Sequence, residues 1–114
     1  MRPLILAAVA FGLFAGGAGA DDKATYTATG VGNYSCGSWT AARRTPQRAE
    51  AFGDEQWVVG YLTGLASMGS SQGYDPLRGT DAQGVWASVD NYCRDHPLES
   101  ILEAAAAFAR AHPH

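Results

Sequence analysis

Gly69-Ser70-Ser71-Gln72-Gly73 spells G-x-S-x-G, the string that lifts a nucleophilic serine onto a tight strand-to-helix turn. That chemistry needs a strand before the string, a helix after it and a parallel sheet beneath. Here a helical pattern precedes it, Tyr74-Asp75-Pro76 follows it, and the chain is too short for such a sheet, so the string reads as a loop. Cys36 and His96 are the residue types of a thiolate–imidazole pair, but no Asn or Asp is placed to orient the ring, and oxidation would consume the thiol. His112-Pro113-His114 offers too few ligands for a structural metal site. Asp90, Asp95, Glu99 and Glu103 recur every four or five residues, the pattern of a solvated acidic face rather than of a paired acid and base. The glycines of "GVGNYSCG" miss the spacing of a phosphate loop. The expectation is a protein that is not an enzyme and has no catalytic residue, cofactor or metal.

The aromatic residues point elsewhere. Trp39, Trp57 and Trp86, with Tyr61, Tyr92 and Phe108, are many large rings for a small domain. Packing in the core is the default use of such rings. Four short helices leave some of them uncovered, and a half-exposed Trp or Tyr is a natural anchor for a partner. Trp39, Trp57, Tyr61, Trp86 and Tyr92 are therefore the candidate partner-binding residues.

The chain has 114 residues, and the first twenty are laid out as a secretory signal peptide. Arg2 supplies the basic start, "LILAAVAFGLF" the apolar run, and Ala18-Gly19-Ala20 the small-residue cleavage site. Cleavage there leaves 94 residues, enough for one domain, with seven Lys and Arg against eleven acids and hence a net charge of −4. An acidic chain without a basic stripe is a poor partner for nucleic acid. No later segment is apolar for long enough to insert in a membrane, so the expected location is the periplasm or the outside of the cell. Domains of this size are often stapled, and thiols oxidise outside the cytoplasm. If the only two cysteines oxidise within one chain, the bond is Cys36–Cys93. A loop of that length stabilises by roughly 4 kcal/mol through chain entropy. A free nucleophilic thiol or an intermolecular bond is the alternative.

Four helices are expected to hold these residues. Residues 21–34 are polar and glycine-containing, read as a flexible arm in which Asn33-Tyr34-Ser35 matches the glycosylation pattern. Ser35 caps a first helix, "CGSWTAARR", which Pro46 stops. Asp54 caps a second, in which Trp57, Tyr61, Leu65 and Met68 form a stripe widened by Val58 and Leu62. Gly60 and Gly64 cut a groove in it where another backbone can approach. The loop at residues 69–79 leads to a capping box, Thr80 with Gln83, and a third helix whose inward face holds Val85, Trp86, Val89, Tyr92, Cys93 and His96. Pro97 fits the first turn of a fourth, carrying Leu98, Ile101, Leu102, Ala105, Phe108, Ala109 and His112 on one face. No internal repeat is evident. The fold class is all-α, a small four-helix domain stapled by one disulfide.

With Cys36, Trp57, Gly60-Tyr61, Tyr92-Cys93 and Pro97 laid out, residues 35–112 resemble the HdeA/HdeB acid-stress chaperones of the bacterial periplasm. The shared pattern is a signal peptide, one disulfide, an early cysteine opening a helix, an aromatic-rich helix and a Y-C-x-x-x-P turn before the last helix. This chain is less lysine-rich, has more glycine and alanine, and carries a longer loop at 69–79. The resemblance implies a signal peptide at 1–20, an arm at 21–34 and an HdeA-like domain at 35–114 that binds unfolded clients in acid. "GYLTGL" with "VDNYCRDHPLESILEAAAAFA" is also similar to periplasmic immunity proteins that neutralise type VI amidases, though further cysteines of that family are missing. That likeness implies one dedicated protein partner. A homodimer is compatible with either.

Overall fold

Ser35 takes an extended conformation and its hydroxyl accepts a hydrogen bond from the Ser38 amide, opening helix α1, Cys36–Arg44. The remaining first-turn amides of α1 find partners far along the chain. The Cys36 and Gly37 N–H groups donate to the Glu99 and Pro97 carbonyls, while the Ile101 N–H donates to the Tyr34 carbonyl, around an antiparallel bridge between Ser35 and Ser100. In this computed structural model, which describes residues 26–46 and 48–114, α1 is followed by α2, Arg48–Gly69; α3, Ala82–Asp95; and α4, Ile101–Ala111. The expected signal peptide and the first residues of the arm lie outside the described residues. No described helix is long and apolar enough to cross a membrane.

The core is built from Trp39 of α1, Val58 and Leu62 of α2, Val85 and Val89 of α3, and Ile101, Ala105 and Phe108 of α4. The Cys36–Cys93 disulfide is formed and lies inside it, closing a sequence separation of 57. The fold class is thus as expected: four helices around one core, with one internal crosslink.

Several element boundaries differ from expectation. α2 begins at Arg48, six residues before Asp54, because Arg48 to Ala51 suit a helix and Ala51 is fully buried. Asp54 is consequently an interior, buried residue and not a cap. The buried line of α2 runs through Ala51, Glu55, Val58 and Leu62, so Met68, placed on the stripe by the sequence, is 84% exposed. Gly60 and Gly64 face outward, with nothing packed against them. The close approach expected there occurs at Gly32 instead, where the Trp57 indole occupies the space a side chain would need. Gly32 belongs to a 3-10 turn, Gly30–Asn33, packed on α2 and α4, so this part of the expected arm lies against the helical domain.

α3 is capped by Asp81, not Thr80: the carboxylate accepts from the Gly84 amide at 2.8 Å and brings a full negative charge to the positive end of the helix. α4 starts after Ser100, whose hydroxyl accepts from the Glu103 amide, and not at Pro97. The carbonyls of Pro97 and Glu99 are engaged with α1, which keeps this link out of the helix, and Leu98 is left exposed.

α3 and α4 end in the same way, a short repeat where none was expected. Tyr92-Cys93-Arg94-Asp95-His96-Pro97 and Phe108-Ala109-Arg110-Ala111-His112-Pro113 share the order aromatic-x-Arg-x-His-Pro. His96 and His112 both cap their helices, at φ −132°, ψ 60° and φ −129°, ψ 71°. Each ring places Nδ1 within 2.9 Å or less of the carbonyl oxygen four residues back. Each also stacks on the aromatic ring at that same position, with centroids 4.2 and 4.1 Å apart.

Candidate functional site

Trp39 and Arg43 lie four residues apart and so share the face of α1 that meets α3 and α2. Trp39 is completely buried, and its indole N–H donates to Asp90 Oδ1 on α3 at 2.8 Å. The Arg43 guanidinium grips the same carboxylate twice, Nε to Oδ1 at 2.9 Å and Nη2 to Oδ2 at 2.6 Å. Its third contact, Nη1 to Glu55 Oε1 at 2.7 Å, reaches α2. Arg48, at the start of α2, donates to the same Glu55 oxygen at 2.6 Å. Glu55 is the most deeply placed member, its side chain only 4% exposed. One guanidinium therefore joins three helices through two carboxylates, and its Cζ also lies over the Trp39 ring, 5.6 Å from the centroid.

These contacts hold the Arg43 proton well above the ordinary arginine range, mainly through the Asp90 hydrogen bond, while burial acts the other way. Asp54, beside Glu55 on α2, has no such cation. Burial pushes its carboxyl above the ordinary value, and the charges of Glu50 and Glu55 add to the effect.

Between α1 and α3, next to this cluster, opens a cleft of about 380 Å³ lined by Thr40, Arg43, Arg44, Asp90, Asn91 and Arg94. Arg94 is exposed and donates weakly, at 3.3 Å to Asp95 and 3.4 Å to Asn91. Arg44 has no ion-pair partner among the described residues.

Of the candidate partner-binding residues, Trp57, Tyr61, Trp86 and Tyr92 are half-buried, and each also makes a contact within the fold. Trp39 presents no surface at all. Trp57 and Tyr61 stack in parallel, 5.6 Å apart, with the Trp57 N–H aimed at the Thr29 carbonyl. Trp86 is partly buried and donates to the Glu55 backbone carbonyl at 3.0 Å. Tyr92 donates its hydroxyl to Glu99. Trp39 alone of the three indoles is fully covered; Trp57 and Trp86 are partly buried, each with its N–H engaged by a backbone carbonyl. The large apolar side chains left exposed are Tyr26, Tyr34, Phe52, Met68 and Leu98.

The other sequence candidates are also placed. Gly69 ends α2, Ser70–Gln72 form a 3-10 turn, and the Ser70 hydroxyl donates to the Ser67 carbonyl. Cys36 has no free thiol for His96. Among the described residues no group of His, Cys, Asp and Glu is arranged to hold a metal ion. Asp90 leaves the solvated acidic face assigned to it, whereas Asp95, Glu99 and Glu103 remain exposed. Sequence reasoning missed the Arg43–Glu55–Asp90 cluster. Its one local signal was the Trp39/Arg43 spacing. Its acids come from separate helices, and no periodic pattern marks them.

No family model, no curated protein and no solved structure matches this chain.

Proposed function

We propose that this domain is an exported protein-binding module that acid opens for unfolded clients, a periplasmic chaperone of the HdeA/HdeB kind. The observation that carries the reading is the burial of Glu55 between Arg43 and Arg48. A buried carboxylate balances two guanidinium groups only while it is ionised. Loss of the carboxylate charges would leave the partly buried Arg43 guanidinium beside Trp39 without counter-charges, an unfavourable arrangement. With every carboxylate protonated and every histidine charged, the chain after Ala20 carries +10, and this self-repulsion adds to the loss. Detachment of α2 would uncover Val58 and Leu62, which are fully buried in the closed domain. The covalent ring from Cys36 to Cys93 contains Arg43, Arg48, Glu55 and Asp90, so the opened chain stays tethered and its expansion is bounded. A crosslink of this kind also fits an oxidising compartment.

The test is acidification to about pH 2–3 with a hydrophobic dye and an aggregating client protein present. Dye binding and client protection should rise together, and E55Q should move both toward neutral pH. An unchanged fold without protection would end the proposal.

A second reading, a dedicated partner binder of the immunity or inhibitor type, would use exposed apolar side chains such as Phe52 and Met68 on α2 as anchors. It predicts one stoichiometric partner at neutral pH that is lost in F52S/M68S. Clients captured only in acid would count against it.

A further inference from the structure

We propose that the cleft between α1 and α3 is a docking site for a carboxylate-rich segment of a partner protein, gripped by Arg44 and Arg94. The inference rests on reading the domain as a protein binder, but it concerns the closed, neutral-pH form.

Arg43 forms the inner wall of the cleft and is held by three side-chain hydrogen bonds to Asp90 and Glu55, so its charge is already balanced. Arg44 and Arg94 stand at the rim of that fixed wall. Arg44 meets no carboxylate among the described residues. The one contact of Arg94 with a carboxylate goes through Nε to the exposed Asp95 at 3.3 Å; Nη1 donates to the Asn91 side-chain oxygen at 3.4 Å, and Nη2 has no partner among the described residues. The Thr40 hydroxyl and the Asn91 amide add neutral donors between them. Three of the six arginines among the described residues line this one cleft, in a chain whose net charge is −3. Asp90 also lines the cleft and balances Arg43, so the excess positive charge there comes from Arg44 and Arg94; it opposes the charge of the molecule as a whole and favours an anionic partner.

Guanidinium forks match carboxylates in a planar, bidentate way. A nucleic-acid strand would meet the acidic remainder of the surface beyond the cleft, whereas a short Glu or Asp run enters it alone. Acid that protonates such a run cancels the attraction, so docking is confined to the closed form.

Fluorescein-labelled hexaglutamate at pH 7 and low salt is the probe, read by fluorescence anisotropy. Saturable binding should weaken by about tenfold or more in R44Q/R94Q, as expected for lost charge-assisted bonds, and stay unchanged in R78Q/R110Q. Circular dichroism checks that both variants keep the fold. No saturable binding at millimolar peptide overturns the proposal. So does equal weakening in R78Q/R110Q, or equal displacement of the peptide by inorganic phosphate from wild type and R44Q/R94Q, either of which would mean diffuse anion attraction. The acid dye assay on R44Q/R94Q separates the two ideas: it should be unchanged whether or not the cleft binds the peptide.

Discussion

α2 and α4 are both packed on the same core, yet they are attached by different forces. The buried residues of α4 are Ile101, Ala104, Ala105, Phe108 and Ala109, all apolar. Those of α2 are Ala51, Asp54, Glu55, Val58 and Leu62, two of them acids. Apolar burial is indifferent to protons, whereas a buried carboxylate is worth something only in one protonation state. One helix of this domain is therefore fastened partly through ionisable groups and the other is not.

The contrast can be broken most directly at Phe108. Phe108→Ala should lower unfolding free energy by about 3–5 kcal/mol in urea titrations, and by a similar amount at neutral and acid pH. Arg43→Ala should cost about 3 kcal/mol at pH 7, because it leaves Glu55 and Asp90 without their shared cation. That loss should be smaller in acid, because an ion pair contributes only while both partners are charged. Equal losses at the two pH values would show that the α2 attachment is as insensitive to protons as that of α4.

Asp54 sharpens the comparison with the opposite sign. Its folded pKa is raised above the unfolded value, mainly by burial, so its contribution to stability is complete below the unfolded pKa and is lost as pH rises through the folded one. Asp54→Asn should therefore stabilise the domain at neutral pH, by less than about 1 kcal/mol after solvent screening, and leave it unchanged in strong acid. Differential scanning calorimetry at two pH values measures this. The smallest effect belongs to Tyr92, whose phenol is raised chiefly by its hydrogen bond to Glu99. Tyr92→Phe should cost about 0.5 kcal/mol near neutrality. In the wild type this contribution should disappear above pH 10, which ultraviolet titration of the phenol can follow.

What the sequence made legible follows from where each signal resides. Ser35, Pro46 and the spacing of Trp39 and Arg43 are local, and α1 appears where they place it. The paired cysteines needed only a count. Asp54 misled because aspartate is a good cap by type, and nothing nearby revealed that Ala51 would be buried one turn earlier. Pro97 misled for a related reason: it suits a first helical turn, but its carbonyl is needed by Gly37, 60 residues away. The candidate site was the least readable part. Arg43 meets Glu55 and Asp90 only after three helices have packed, and the aromatic residues proposed as anchors found acceptors that only the folded chain provides.

The matched endings of α3 and α4 are self-sufficient. The aromatic ring, the imidazole and the proline that close each helix come from one run of six residues, and the ring stacking and the Nδ1 contact are made wholly within it. Such a unit is portable: grafted onto an unrelated helical peptide it should halt the helix at the histidine, and shifting it by one turn should relocate the stop by about 5.4 Å.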